Sequence, residues 1–185
     1  MQTHEYLAHI ISELETAPGL LKDGAAEQLV EAMLGAKRIF CAGAGRSGFM
    51  MRSLAMRLMH AGQQAYVVGE TTTPGIGADD LLLIGSGSGE TAGLAAMADK
   101  AKALGASVVL LTTAPASRIG ETADITIQLP GAPKDNNDSS SVTIQPMGSL
   151  FEQSLLLCGD ALILRIMEHT HQTGQRMYGL HANLE

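Results

Sequence analysis

The stretch RIFCAGAGRSG, Arg38 to Gly48, runs a short apolar segment into a glycine-rich turn. Gly43, Gly45 and Gly48 fit G-x-G-x-x-G, and the pattern around them predicts a strand, a tight turn and a helix. Such a turn can be a bare packing device with Ser47 capping the helix, or a cradle for an anion. A dinucleotide site would also place an acid about twenty residues further on. Glu70, at the end of the next apolar run, meets that spacing.

Outward from this turn, apolar runs alternate with helical patterns. KRIFCA, QAYVV, DLLLIG, ASVVLLT and DITIQL are predicted strands. SGFMMRSLAMRLMHAG and ETAGLAAMADKAKALG are predicted helices, the second burying Leu94, Met97, Ala101 and Leu104. GSLFEQSLLLCGDALILRIMEHT is a long final helix. Before them, Leu7, Ile10, Ile11 and Leu14 make one helical face. Leu29, Val30, Met33 and Leu34 make another, after Asp23 as N-cap. Strands that are apolar throughout belong to a parallel sheet covered on both sides. The expected fold is an α/β three-layer sandwich with a five-stranded parallel sheet in the flavodoxin-like order 2-1-3-4-5. The chain divides into N-terminal helices (1–35), sheet and site (36–147) and C-terminal helix and tail (148–185), within one domain. The polar run PGAPKDNNDSSSVTIQPMG is a loop long enough to be mobile or functional.

Composition removes several classes. A chain of 185 residues has room for one full core and none for a separate substrate domain of a dehydrogenase. With 45% hydrophobic and 17% charged residues it is a globular sequence, not a disordered one. The N-terminus MQTHEYLAHIISELETAP has neither a basic lead-in nor a continuous apolar core, so neither a signal peptide nor a membrane span is expected. Net charge is −7 without a basic block, which argues against nucleic acid or an anionic membrane as partner. Cys41 and Cys158 sit in apolar runs without a metal-binding spacing and are expected to be buried, reduced thiols of a cytoplasmic protein. His169 and His171 do not share a helix face, so no metal pair is expected.

A second glycine turn decides between the two meanings of the first. GSGSGET, Gly85 to Thr91, follows a strand and opens a helix, so its N–H groups meet the positive end of a helix dipole. In the order 2-1-3-4-5 it faces GAGRSG across the crevice where the chain reverses direction. Ser88 can serve as an N-cap, yet Ser86, Ser88 and Thr91 between three glycines exceed what capping requires. No Lys follows in P-loop spacing, so a single phosphate ester suits the turn better than a nucleoside triphosphate.

The run Ser86-Gly87-Ser88-Gly89-Glu90-Thr91 resembles the phosphosugar loop of the sugar isomerase (SIS) family. GAGRSG, MRLMHAG, GETTTP, GSGSGET, QPMGSLFEQ and the terminal HANLE together resemble the 6-phospho-3-hexuloisomerases of that family. The matches run in order from about Arg38 to Glu185; Ala132 to Ser141 matches no motif. The resemblance implies interconversion of 3-hexulose 6-phosphate and fructose 6-phosphate, with a phosphorylated ketohexose as substrate. It also implies a homotetramer and, as functional partner, the 3-hexulose-6-phosphate synthase that fixes formaldehyde on ribulose 5-phosphate. Ser47, Arg46 and Ser86 through Thr91 become the expected substrate and phosphate contacts. Glu70 becomes part of the crevice rim.

Moving a carbonyl to the neighbouring carbon needs a base to take the α proton and an enediol to be reprotonated, with no metal or redox cofactor. A carboxylate in an apolar setting suits that base, because desolvation raises a carboxylate's pKa. Glu152 in GSLFEQSLLL has such a setting, although Ser149 to Glu152 also fits a capping box. The resemblance makes Glu152 the base. It also makes His181 in HANLE the acid/base partner, on a tail that composition alone would leave in solvent. In related SIS enzymes such a histidine comes from a neighbouring subunit. Arg46 can hold substrate hydroxyls, steady an enediolate, or lie at the surface.

Overall fold

All of LLLIG, Leu81–Gly85, is buried, and this strand is the middle of the sheet. The computed structural model describes residues 1–21, 24–131 and 143–184. Strands β1 (Ile39–Gly43), β2 (Ala65–Val67), β3 (Leu81–Gly85), β4 (Ser107–Thr112) and β5 (Ile125–Gln128) pair in parallel in the order β2-β1-β3-β4-β5. The expected order therefore holds, and β1 and β3 end level with each other at the Gly43–Gly85 pair.

Strand side chains alternate between two cores, as the period of two requires. Ile39, Cys41, Leu81, Leu83, Val109 and Leu111 pack towards α2 (Ala25–Gly35), α3 (Gly45–His60) and α6 (Ser149–His169). Phe40, Ala42, Leu82, Ile84, Val108 and Leu110 pack towards α4 (Ala92–Ala103) and α5 (Arg118–Thr122). Arg38 fastens the lower ends of β1 and β3, donating to Asp80 through Nε at 3.0 Å and Nη2 at 2.6 Å. That guanidinium holds the buried Asp80 carboxyl below its ordinary range, helped by the Gly77 N–H. Cys41 and Cys158 are buried and free, and burial alone pushes their thiols up to about 12 and about 11.

Helix α4 buries only part of the expected face, Leu94 and Ala101. Leu94, Ala95, Ala98 and Ala101 lie on the sheet, while Met97 and Leu104 are exposed. The alanines let the helix axis approach the strands closely, which leaves the bulkier side chains on its shoulders. Helix α1 (Thr3–Leu14) forms, yet none of its residues is buried, and Leu7 and Ile11 stay 57% and 53% exposed. Its Glu13 carboxylate accepts from Thr143 Oγ1 at 2.6 Å, Ile144 N at 2.6 Å and Gln145 Nε2 at 2.8 Å. Burial works against that charge, but the three donors hold the Glu13 carboxyl below its ordinary range. Three short elements had no sequence signal: a 3₁₀ turn (Ala17–Leu21), α5, and α7 (Gly174–Tyr178). Asp23, the expected cap of α2, and the polar run at 132–142 lie outside the described residues. No helix of the described residues is long and apolar enough to cross a membrane.

Candidate active site

The first turn works by bare backbone. A Cβ on Gly48 would stand 2.8 Å from the Gly43 carbonyl oxygen, so only glycine lets α3 leave β1 this tightly. Gly45 adopts φ +57°, the left-handed region, at the first position of α3. The N-cap is Ala44, not Ser47, and it makes no side-chain cap bond. Ser47 is instead the third residue of the helix and is buried. The first-turn N–H groups of α3 are thus left without a side-chain cap at the crevice.

The second turn is held from below by its carbonyls. Gly87 O accepts from Thr112 Oγ1 at 2.9 Å, Thr113 Oγ1 at 2.8 Å and Thr113 N at 3.1 Å. Gly89 O accepts from Ile119 N at 3.1 Å. These two carbonyls are tied down and so do not confront an anion at the turn. Ser86 Oγ, buried, accepts from Gly89 N at 3.2 Å, and Ser88 Oγ, exposed, accepts from Glu90 N at 3.2 Å. The cap of α4 is Thr91, not Ser88, and its side chain makes no cap bond, which leaves a second uncapped helix start beside the first. Glu90 points elsewhere: its Oε1 accepts from Arg118 N at 2.8 Å and closes the start of α5. Gly89 sits at φ +63°, where a Cβ would meet Ser117 Oγ at 1.8 Å. That Ser117 oxygen is buried without a hydrogen-bond partner among the described residues.

Helix α6 brings the carboxylate to these turns. Gly148 is its N-cap, so the Ser149–Glu152 capping box does not form. Glu152 turns to α3, where its Oε2 accepts from Arg46 Nη1 at 2.7 Å. The same Nη1 donates to Ser149 Oγ at 3.1 Å. The pair is lopsided, with the Glu152 side chain 7% exposed and that of Arg46 52% exposed. Phe151 lays its ring against the second turn, where a Cβ on Gly87 would come within 3.2 Å of it. Glu152, Arg46 and Ser47 are therefore brought together with Ser86 to Thr91. Ser149, Phe151, Ser117 and the Thr112–Thr113 pair complete the site and were not foreseen. Two hydroxyls ending a buried strand beside the crevice were the signal available for the threonines.

His181 is not among them. Its ring stacks on His60, the last residue of α3, with centroids 5.3 Å apart. Arg46 sits at the other end of that helix, ~20 Å away at 1.5 Å per residue. Glu70 follows β2 and forms an ion pair with Arg52 of α3. An apolar cavity of about 320 Å³ between Phe40, Leu82, Pro74 and Met97 lies on the opposite face of the sheet from Glu152.

The chain is similar to known proteins in sequence and in fold. Residues 32–157 match the model of the SIS domain family. A protein of Bacillus subtilis (strain 168), named 3-hexulose-6-phosphate isomerase, is 51% identical over the full length of both chains. A protein of the same name from Methylomonas aminofaciens is 35% identical over 98% of this chain and 99% of its own. Among solved structures, a hypothetical protein of Methanococcus jannaschii, whose description infers a molecular function of 3-hexulose-6-phosphate isomerase, superposes with a TM-score of 0.85. It is 32% identical, and the match covers 98% of this chain and 99% of that one. This chain belongs to the SIS domain family, and within it is similar to the proteins named 3-hexulose-6-phosphate isomerase.

Proposed function

We propose that this chain is an isomerase interconverting 3-hexulose 6-phosphate and fructose 6-phosphate through a 2,3-enediol. The observation that carries the mechanism is the buried Glu152 carboxylate, held by Arg46 between two uncapped helix starts. The phosphate sits on the N–H groups and hydroxyls of Ser86 to Thr91, with Ser47 beside it. From 3-hexulose 6-phosphate, Glu152 takes the proton on C2, the electron pair forms the C2–C3 double bond, and O3 gains negative charge. Arg46 steadies that charge. The proton then returns from Glu152 to C3 while the hydroxyl proton moves from O2 to O3, leaving the carbonyl at C2.

His181 assists the oxygen-to-oxygen transfer, supplied by a neighbouring subunit of a homotetramer. The supporting geometry is a stripe of exposed apolar side chains along two helices that run side by side. Phe49 and Met56 lie seven residues apart on α3, and Leu157 and Leu164 do the same on α6. A second copy packed antiparallel on this stripe about a twofold axis sets the His181 end of one α3 beside the Glu152 end of the other. The protein acts in the cytoplasm on the product of a 3-hexulose-6-phosphate synthase.

The test is NMR of fructose 6-phosphate incubated with the protein in D₂O. Deuterium at C3 with 3-hexulose 6-phosphate appearing is the expected result. Exchange at C1 would mean an aldose–ketose isomerase, and binding without exchange a sugar-phosphate regulator.

A further inference from the structure

The ring against which His181 rests has no part in the mechanism so far. His60 closes α3, is 3% exposed, and stacks on His181 with planes 21° apart. Tyr178 of α7 stacks on His181 as well, with centroids 6.2 Å apart. The tail that carries His181 is a built structure, not a loose end. Helix α6 stops through His171 at φ +52°, with Gln172 N bonded to Met167 O, as in a Schellman cap. Gln172 Nε2 then donates to Ala61 O at 2.8 Å, which joins the end of α6 to the end of α3. Thr173 Oγ1 caps α7, and His181 N donates to Tyr178 O at 3.1 Å.

The hydrogen bonds around the two imidazoles assign their protons. Arg57 Nη1 lies 3.3 Å from His60 Nδ1. A guanidinium only donates, so Nδ1 of His60 must accept, and its hydrogen sits on Nε2. His60 is therefore neutral while this bond lasts. His181 Nδ1 lies 3.0 Å from the Ala182 carbonyl, which only accepts, so Nδ1 of His181 carries a hydrogen. That leaves Nε2 of His181 without a partner among the described residues, free to accept or donate.

We infer that Arg57 and His60 are positioning residues for His181: they hold its ring in the stack and leave its Nε2 as the atom that meets substrate. The inference rests on the proposed acid/base role of His181. A stack of two imidazolium ions would repel, so the inner ring must stay neutral if the outer one is to cycle a proton. The charged or titratable groups acting on His60 are Arg57 on its own helix and His181 on the tail. Burial first, then the charges of Arg57 and His181, hold His60 below its ordinary value of 6.5. Acid therefore breaks the device: as pH falls through that lowered value, His60 gains a proton and loses its bond from Arg57.

The experiment combines ¹⁵N NMR of the histidines with steady-state kinetics on the full-length protein. In the wild type, His181 should read as the Nδ1–H form and His60 as the Nε2–H form. His60→Leu should return His181 to a mixture dominated by Nε2–H and lower kcat roughly tenfold with KM little changed, a fraction of the 10²–10⁴ an acid/base group contributes. His60→Phe, which keeps a flat ring, should recover most of kcat. Arg57→Gln, at an exposed position, should free the His60 tautomer and move the acid limb of the kcat profile to higher pH. An unchanged His181 tautomer and kcat in both His60 variants would overturn the inference. His181→Asn serves as the separate control. Full activity there would refute the acid/base role, while the tautomer in the His60 variants would still report whether the stack positions the ring.

Discussion

Glu152 combines two conditions that rarely meet in one carboxylate. It is buried, yet the side chain of its partner Arg46 is half in solvent. Oε2 takes the bond from Arg46, and Oε1 has no hydrogen-bond partner among the described residues. A carboxylate held from one side and open on the other has the form a proton shuttle needs. Glu152→Gln keeps an acceptor oxygen for Arg46 and the same volume but cannot take a proton. It should leave the melting temperature within a few degrees of wild type and lower kcat by roughly 10²–10⁴. Deuterium exchange at C3 should fall in parallel, and normal exchange in a folded variant would remove Glu152 from the mechanism.

At the scale of elements, the second turn is the most constrained piece of backbone in the site. Gly89→Ala would add strain at φ +63° and drive a methyl into Ser117. It should destabilise the protein by on the order of 1–3 kcal/mol and raise KM more than tenfold, measured by thermal unfolding and steady-state kinetics. Such turns were legible in the sequence because glycines at fixed offsets after an apolar run have few other uses. The strands were legible because a central parallel strand is apolar on both faces, as LLLIG is. On α4, Leu94 and Ala101 were legible, but Ala95 and Ala98 were not, since alanines that permit close approach look weaker than the Met97 and Leu104 beside them. Nor was the Arg46–Glu152 bond, which joins residues 106 apart. Ser149 and Glu152 fit a capping box, and only the position of α3 shows that the carboxylate has a better partner.

For the whole molecule, the exposed stripe on α3 and α6 and the distance from Glu152 to His181 support one arrangement, a site completed by a second copy. Mixing Glu152→Gln with His181→Asn tests it. Each variant should be nearly inactive alone. After subunit exchange, a mixed interface carries one site with both native groups, so activity should return to a substantial fraction of wild type. No recovery, with exchange verified by mass spectrometry of the mixed assemblies, would place both groups in one subunit's site. The tied-down carbonyls of Gly87 and Gly89 also bear on how substrate arrives. They leave a turn that offers an anion N–H groups and hydroxyls, with no Lys or Arg in GSGSGET, on a body of net charge −7. A sugar phosphate dianion is thus repelled at long range and welcomed only at contact. Added salt screens the repulsion beyond ~10 Å and leaves the contact bonds largely intact. Encounter should therefore quicken as ionic strength rises from low values, the reverse of an enzyme that steers its anion with a basic funnel.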